Sequence, residues 1–219
     1  LSLWGGSIRY NTPMLFALSF IPMFGIGGLT GLPLGLPLSD IPLHDTYYVI
    51  GHFHYVVAPG TIFAIFAGIY FWFPKITGKP LNEILGKVHF AFSFLFMNLF
   101  FMPMFFQGLA GLSRRLSDGG DSYAHTQGVI HYNDFMMYAS WGLAIAQIPF
   151  IINIILTLMK KTDENPDPNP WEATTLEWTA APSPPVGHGN FPETPSVYRG
   201  SYEYSVPGKD KDFIPQNEK

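Results

Sequence analysis

Four long apolar runs govern what this chain can become: about Pro13 to Leu36, Ile50 to Phe73, Ile84 to Leu109 and Phe135 to Met159. Each exceeds twenty residues, enough for a helix to cross a hydrocarbon core of about 30 Å. The second run holds no Asp, Glu, Lys or Arg, and the third has Lys87 and His89 only near its start. A water-soluble helical protein would have too little polar surface in residues 1–161 to face solvent. The expected fold is an all-α polytopic membrane protein of four transmembrane helices over residues 1–161. An irregular tail, rich in Pro, Asp and Asn, follows over 162–219. No period of 2 or 3.6 runs through the tail, so we expect an extended segment lying on partner surfaces rather than a separate domain.

Loop charges set the orientation. Arg9, then Lys75, Lys79 and Lys87, then Lys160 and Lys161 occupy alternate connections, which the positive-inside rule places on the cytoplasmic side. With four spans, both termini lie on that side. The two remaining loops contain no Lys and only the pair Arg114–Arg115. His44, Asp45 and that pair therefore share the outer level. A net charge of −4 with no basic cluster argues against nucleic acid. With no Cys, the chain has no thiolate metal site, iron–sulfur cluster or disulfide.

The stretch His44-Asp-Thr-Tyr-Tyr-Val-Ile-Gly-His-Phe-His-Tyr55 places three of the seven histidines at the mouth of the second run. At about 100° per residue, His52 and His54 point to opposite sides of one helix, about 3 Å apart along its axis. One metal cannot easily take both, whereas two cofactors can. Intramembrane histidines are usually functional or interhelical, and a neutral imidazole is a common axial ligand of haem iron. His44-Asp45 offers one nitrogen and one carboxylate oxygen, which suits Mg²⁺ or Mn²⁺, against a capping Asp beside a solvent-facing His. Arg114 and Arg115 are either interfacial anchors or bidentate partners for carboxylates. Ser117-Asp118 reads as an exposed turn. Gly25, Gly27, Gly28, Gly31 and Gly35 read as a helix-packing surface. Pro33, Pro37 and Pro42 are expected to break the first helix, and Asn11 or Thr12 to cap its start.

The His44–Tyr55 motif resembles the signature of subunit I of the haem–copper terminal oxidases of the cytochrome c oxidase type. Gly27-Gly-Leu-Thr-Gly31 before it and Gly108-Leu-Ala-Gly-Leu-Ser-Arg-Arg115 after it fit in the same order. In the tail, Asn169–Trp178 and Tyr198-Arg-Gly-Ser-Tyr-Glu-Tyr204 are similar to bacterial members. The resemblance implies that His52 is the axial ligand of the high-spin haem, where O₂ binds, and the catalytic position. It implies that His54 is one axial ligand of the low-spin haem. It further implies Mg²⁺ or Mn²⁺ at His44 and Asp45, and haem propionates at Arg114 and Arg115 with Tyr47 and Asp40 in the same network. Ser117 and Asp118 fall where the family can place part of an outer Ca²⁺ or Na⁺ site.

The implied cofactors are haem a and haem a3, with a copper (CuB) whose ligands are not in this chain. The resemblance covers the last four spans of a twelve-helix subunit, so by itself the chain is expected to be inactive. The lack of an initiator Met fits a truncated record more than a natural split. The implied partners are the rest of subunit I, a CuA-bearing subunit II, subunit III, cytochrome c and O₂. The implied setting is a bacterial plasma membrane, ahead of the mitochondrial inner membrane. Asp45 favours the cytochrome c branch, because quinol-oxidising relatives generally carry Asn there. Outside the family, the residues alone leave open a haem-free membrane transporter.

Overall fold

A computed structural model describes residues 1–219 apart from 1–2, 7, 162–166, 186–190, 192, 201–202, 204 and 212. Tyr202 and Tyr204, which the resemblance includes, and Thr162, where the tail begins, lie outside the described residues. The elements are α1 (Thr12–Gly35), α2 (Pro37–Leu43), α3 (Tyr47–Val57), a π-helical turn (Ala58–Phe63) and α4 (Ala64–Thr77). There follow α5 (Glu83–Leu109), a 3₁₀ turn (Ala124–Thr126), α6 (His131–Ile145), α7 (Ile148–Met159) and α8 (Leu176–Thr179). Among the described residues there is no strand beyond one isolated antiparallel bridge, Thr46 to Ser113. Among the described residues, four stretches are long and apolar enough to cross a membrane: Thr12–Gly35, Tyr47–Thr77, Glu83–Leu109 and His131–Met159. Their outward faces carry large apolar side chains, such as Leu29 at 69% exposure and Trp141 at 60%. In water that surface would be costly; in hydrocarbon it is neutral.

Each expected span is present, and three details depart from expectation. The prolines do not all break the first helix. Pro33 lies inside α1 and Pro42 inside α2, while the chain turns at Leu36, whose backbone is extended. Pro37 opens α2 at a position where no amide donor is needed. The second span does not stop at Phe73–Pro74 but runs through Lys75 to Thr77, and Gly78 ends it at φ +70°. Its 31 residues also absorb a π turn at Ala58–Pro59–Gly60. Proline cannot donate to the carbonyl four residues back and crowds it, so a wider turn relieves the clash. The fourth span divides at Ala146–Gln147 into α6 and α7.

Two compact units can be distinguished, 1–68 with 83–152 and 69–82 with 153–219. In the first, α1 packs on α3 and α5, α3 on α5, and α5 on α6. Asn11 caps α1 by accepting from the Met14 amide. Glu83, at the head of α5, accepts from the Thr12 amide at 2.7 Å and the Thr12 hydroxyl at 3.0 Å. The break before α7 turns the Gln147 amide inward, where its oxygen meets His89 Nε2 at 3.1 Å and its nitrogen donates to Ser93 Oγ. Buried polar groups are thereby paired inside an apolar bundle.

In the second unit, Asn82 and Asn153 exchange two hydrogen bonds at 2.8 Å. Trp171 donates to the Phe71 carbonyl, and Lys75 donates to the Ala181 carbonyl while lying 5.3 Å from the Trp178 ring centroid. The described tail is irregular apart from α8. Part of it docks on the end of this chain's own α4 through these bonds.

Candidate functional site

The mouth of α3 is tied to the end of α5 through backbone. Thr46 caps α3, accepting from the Tyr48 amide at 3.2 Å and donating to the Leu43 carbonyl at 2.7 Å. Beside it, Tyr47 N–H donates to Leu112 O at 3.0 Å and Arg114 N–H to Asp45 O at 2.9 Å. The contact demands glycine at 108. A Cβ built there would lie 2.1 Å from Tyr48 N and 2.5 Å from Tyr48 Cα. This crossing brings the Asp45 and Arg114 segments together.

His52 and His54 diverge from α3. His52 lies against α1: its Nδ1 is 2.8 Å from the Gly27 carbonyl, and a Cβ on Gly31 would lie 2.7 Å from its Cε1. His54 faces α5, with its ring stacked on Phe101 at 4.3 Å and 16°, and its Nδ1 is 2.8 Å from the Ile50 carbonyl one turn back. A carbonyl only accepts, so Nδ1 carries the proton in both rings. In the neutral imidazole, Nε2 then keeps its lone pair. Each histidine therefore presents one unprotonated nitrogen, with its ring fixed by the other. That arrangement orients metal-ligating histidines. Among the described residues, no three His, Asp or Glu side chains gather for a shared ion. Two separate single-histidine sites fit an axial ligand to a group that brings its own equatorial donors, which is what a porphyrin does.

At the mouth of α3, Arg114 donates to Asp45 Oδ1 through Nε at 2.7 Å and also through its terminal nitrogen. Asp45 Oδ2 lies 3.5 Å from His44 Nε2, and His44 Nδ1 lies 3.6 Å from Asp40 Oδ2. The structure thus pairs Asp45 directly with Arg114. Tyr47 sits half-buried at the start of α3, and Arg115 is exposed. Asp45 and Arg115 both adopt left-handed backbone, at φ 57° and 65°. For Arg115 that costs on the order of 1 kcal/mol, which the surrounding bonds must sustain.

The hydrogen bond from Arg114 holds the Asp45 carboxyl below its ordinary value, opposed by some desolvation and helped by the charge of Arg114 itself. A depressed carboxyl stabilises the loop fully above the ordinary carboxylate pKa and loses that contribution as pH falls through the lowered value. Acidification below about pH 4 is therefore expected to open the Asp45–Arg114 clasp. Protection of the Arg114 and Tyr47 amides against hydrogen exchange, taken relative to the intrinsic rate at each pH, should fall there, and in Asp45→Asn it should already be low at neutral pH. Equal protection in the two proteins at neutral pH would refute the clasp.

Asp118 spends its two oxygens on the Gly120 amide at 3.0 Å and the Ser122 amide at 3.1 Å. Hydrogen bonds from Ser122 and Gly120 hold its carboxyl below the usual range. A cation at Ser117-Asp118 would have to share those oxygens with the loop.

Sequence reasoning missed the groups that orient the histidines. In the sequence, Gly27 and Gly31 read first as packing glycines, ahead of any direct cofactor role. Gly27 does pack: a Cβ there would lie 2.8 Å from the Tyr55 carbonyl carbon. Its carbonyl is also the His52 acceptor, and Thr30 adds a hydroxyl 3.3 Å from the same nitrogen. The available signal was the i, i+4 glycine pair facing a histidine-bearing helix.

The profile of the family described as Cytochrome C and Quinol oxidase polypeptide I matches residues 1–145. The alternative cytochrome c oxidase subunit 1 of Bradyrhizobium diazoefficiens is 45% identical over 219 residues, covering 100% of this chain and 36% of that protein. Cytochrome c oxidase subunit 1 of Synechocystis is 44% identical over 94% of this chain and 35% of its own length. That of Bacillus subtilis is 39% identical over 90% and 30%. The chain thus spans about a third of the length of these relatives. A chain from a cryo-EM structure of a heme-copper terminal oxidase dimer superposes with TM-score 0.61 at 23% identity, covering 71% of this chain and 28% of that one, a likeness of fold.

Proposed function

We infer a function for this chain from one premise: it belongs to the cytochrome c and quinol oxidase polypeptide I family, the haem–copper oxidase subunit I. Four apolar spans and these relatives make it an integral membrane protein. Its task is to grip two haems on either side of α3 and hold them at a fixed separation. The carrying observation is that His52 and His54 both spend Nδ1–H on backbone carbonyls, which leaves each Nε2 unprotonated, while their rings lie against different helices, α1 and α5. His52 would hold the high-spin haem iron and His54 the low-spin one. When bound, the haems supply one-electron transfer and, at the high-spin iron together with copper, the reduction of O₂ to water. The copper's histidines belong to parts of subunit I that this chain does not contain.

Within the chain, Gly27 and Ile50 fix the imidazoles, Phe101 covers one ring, and Arg114 and Arg115 bring positive charge where haem carboxylates would emerge. Tyr47 and Asp40 join that polar mouth. His44 and Asp45 supply one nitrogen and one oxygen to Mg²⁺ or Mn²⁺, with water completing the sphere. Asp45 in place of Asn supports cytochrome c as electron donor, through a CuA-bearing subunit II, in an assembly that also holds subunit III. Proton uptake then proceeds from the side of Lys75, Lys79, Lys87, Lys160 and Lys161, where both termini lie, and is coupled to proton pumping. The setting is a bacterial plasma membrane.

The test is a reduced-minus-oxidised optical spectrum of the purified membrane complex, followed by CO. Two haem contributions are expected, of which only one shifts with CO. Absence of haem bands would leave a transporter in its place, and no response to CO would leave electron transfer without oxygen chemistry.

A further inference from the structure

We propose that Thr30 is a positioning residue that tunes the iron bond of His52 through a second hydrogen bond to its Nδ1–H. This deepens the haem assignment of His52 and rests on it. His52 Nδ1 lies 2.8 Å from Gly27 O and 3.3 Å from Thr30 Oγ1. The Thr30 hydroxyl is itself 2.8 Å from Ile26 O and 2.9 Å from Gly27 O. A hydroxyl has one proton and two lone pairs. With the proton committed to the carbonyls of α1, the lone pairs are what Thr30 offers the imidazole. Gly27 O also has two lone pairs, so it accepts from both donors without conflict. His52 Nδ1–H is thus shared between two oxygens three residues apart on one helix face.

Gly31 keeps the ring in place. A Cβ there would overlap Cε1 at 2.7 Å, so the imidazole lies flat on α1 and cannot turn away from Thr30 without leaving the helix surface. Acceptors on the remote nitrogen of a ligating histidine push electron density to the metal-bound one and raise its basicity. Two acceptors push more than one. Thr30 therefore strengthens the iron–nitrogen bond at His52 and favours the ferric state there. His54 has no counterpart: its Nδ1 is given to the Ile50 carbonyl, and no hydroxyl stands within reach among the described contacts.

The experiment compares Thr30→Val and Thr30→Ser in the haem-loaded membrane complex. Val keeps the branched shape and removes the hydroxyl; Ser keeps the hydroxyl. Resonance Raman of the reduced complex reads the iron–histidine stretch of the high-spin haem, and redox titration reads its midpoint potential. In Thr30→Val the stretch is expected to move to lower frequency and the potential upward, with the low-spin haem unchanged. Thr30→Ser should return both to the unsubstituted values. An unmoved stretch in Thr30→Val, a shift to higher frequency, or equal shifts in Val and Ser would each overturn the proposal. If the unsubstituted complex shows no iron–histidine stretch, or if His52→Ala retains it, the haem assignment itself fails, which is a distinguishable result.

Discussion

Replacing His54 by Ala is expected to remove the low-spin haem signal from the membrane complex and to leave the CO-reactive haem in place. Replacing His52 is expected to do the opposite. The reason is geometric. The two rings leave α3 toward different helices, His52 toward Gly27 and Gly31 of α1 and His54 toward Phe101 of α5. Neither Nε2 can reach across the helix backbone to serve the other's site, and no third ligand-type side chain gathers beside either one among the described residues. Each substitution deletes one axial nitrogen without touching the other's orienting carbonyl. Oxygen consumption should fall to background in both variants, in His52→Ala because the O₂ site loses its iron ligand and in His54→Ala because electrons cannot arrive. Difference spectra with and without CO distinguish them. If either substitution abolished both haems at once in a complex that still assembled, or if the signals were exchanged, the one-ring-per-cofactor account would be wrong as stated.

The second large effect is expected at a residue with no side chain. Gly108→Ala places a methyl carbon 2.1 Å from Tyr48 N, 2.4 Å from its Cβ and 2.5 Å from its Cα. The obstacle is backbone, so no rotamer change relieves it, and α3 must move off α5. Separation breaks the Tyr47–Leu112 and Arg114–Asp45 backbone bonds that join the two helix ends. Overpacking of this kind costs roughly 3 kcal/mol, enough to unfold a marginal bundle. We expect haem-to-protein ratio and thermal half-life to drop sharply in the assembled complex. Gly28→Ala is the matched control, since a Cβ there meets nothing within 4 Å. It should behave like the unsubstituted chain. Equal stability of the two variants would disprove the close crossing.

Hydropathy alone located all four spans because twenty apolar residues have few other fates. It could not see the π turn, the break at Ala146–Gln147 or the extension to Thr77. Each leaves composition unchanged and alters only hydrogen-bond register. The histidine motif was legible, and helical geometry alone sent its two rings to opposite sides. What orients the rings was not legible, because the partners are backbone carbonyls of Gly27 and Ile50, and a carbonyl is present at every position. The pairing of Asp45 with Arg114 was hidden for another reason. It spans 69 residues, and only the docking of α3 on α5 makes them neighbours.

The two imidazoles are anchored in unlike ways. His54 is tethered to Ile50 within its own helix, whereas His52 is tethered to Gly27 on another. One iron would therefore sit in a self-contained mount that travels with α3 as a rigid part. The other would report any slip between α1 and α3, because its anchor point moves when they do. On the proposed haem assignment, mechanical disturbance arriving from α1 would be felt at the His52 iron and silenced at the His54 iron.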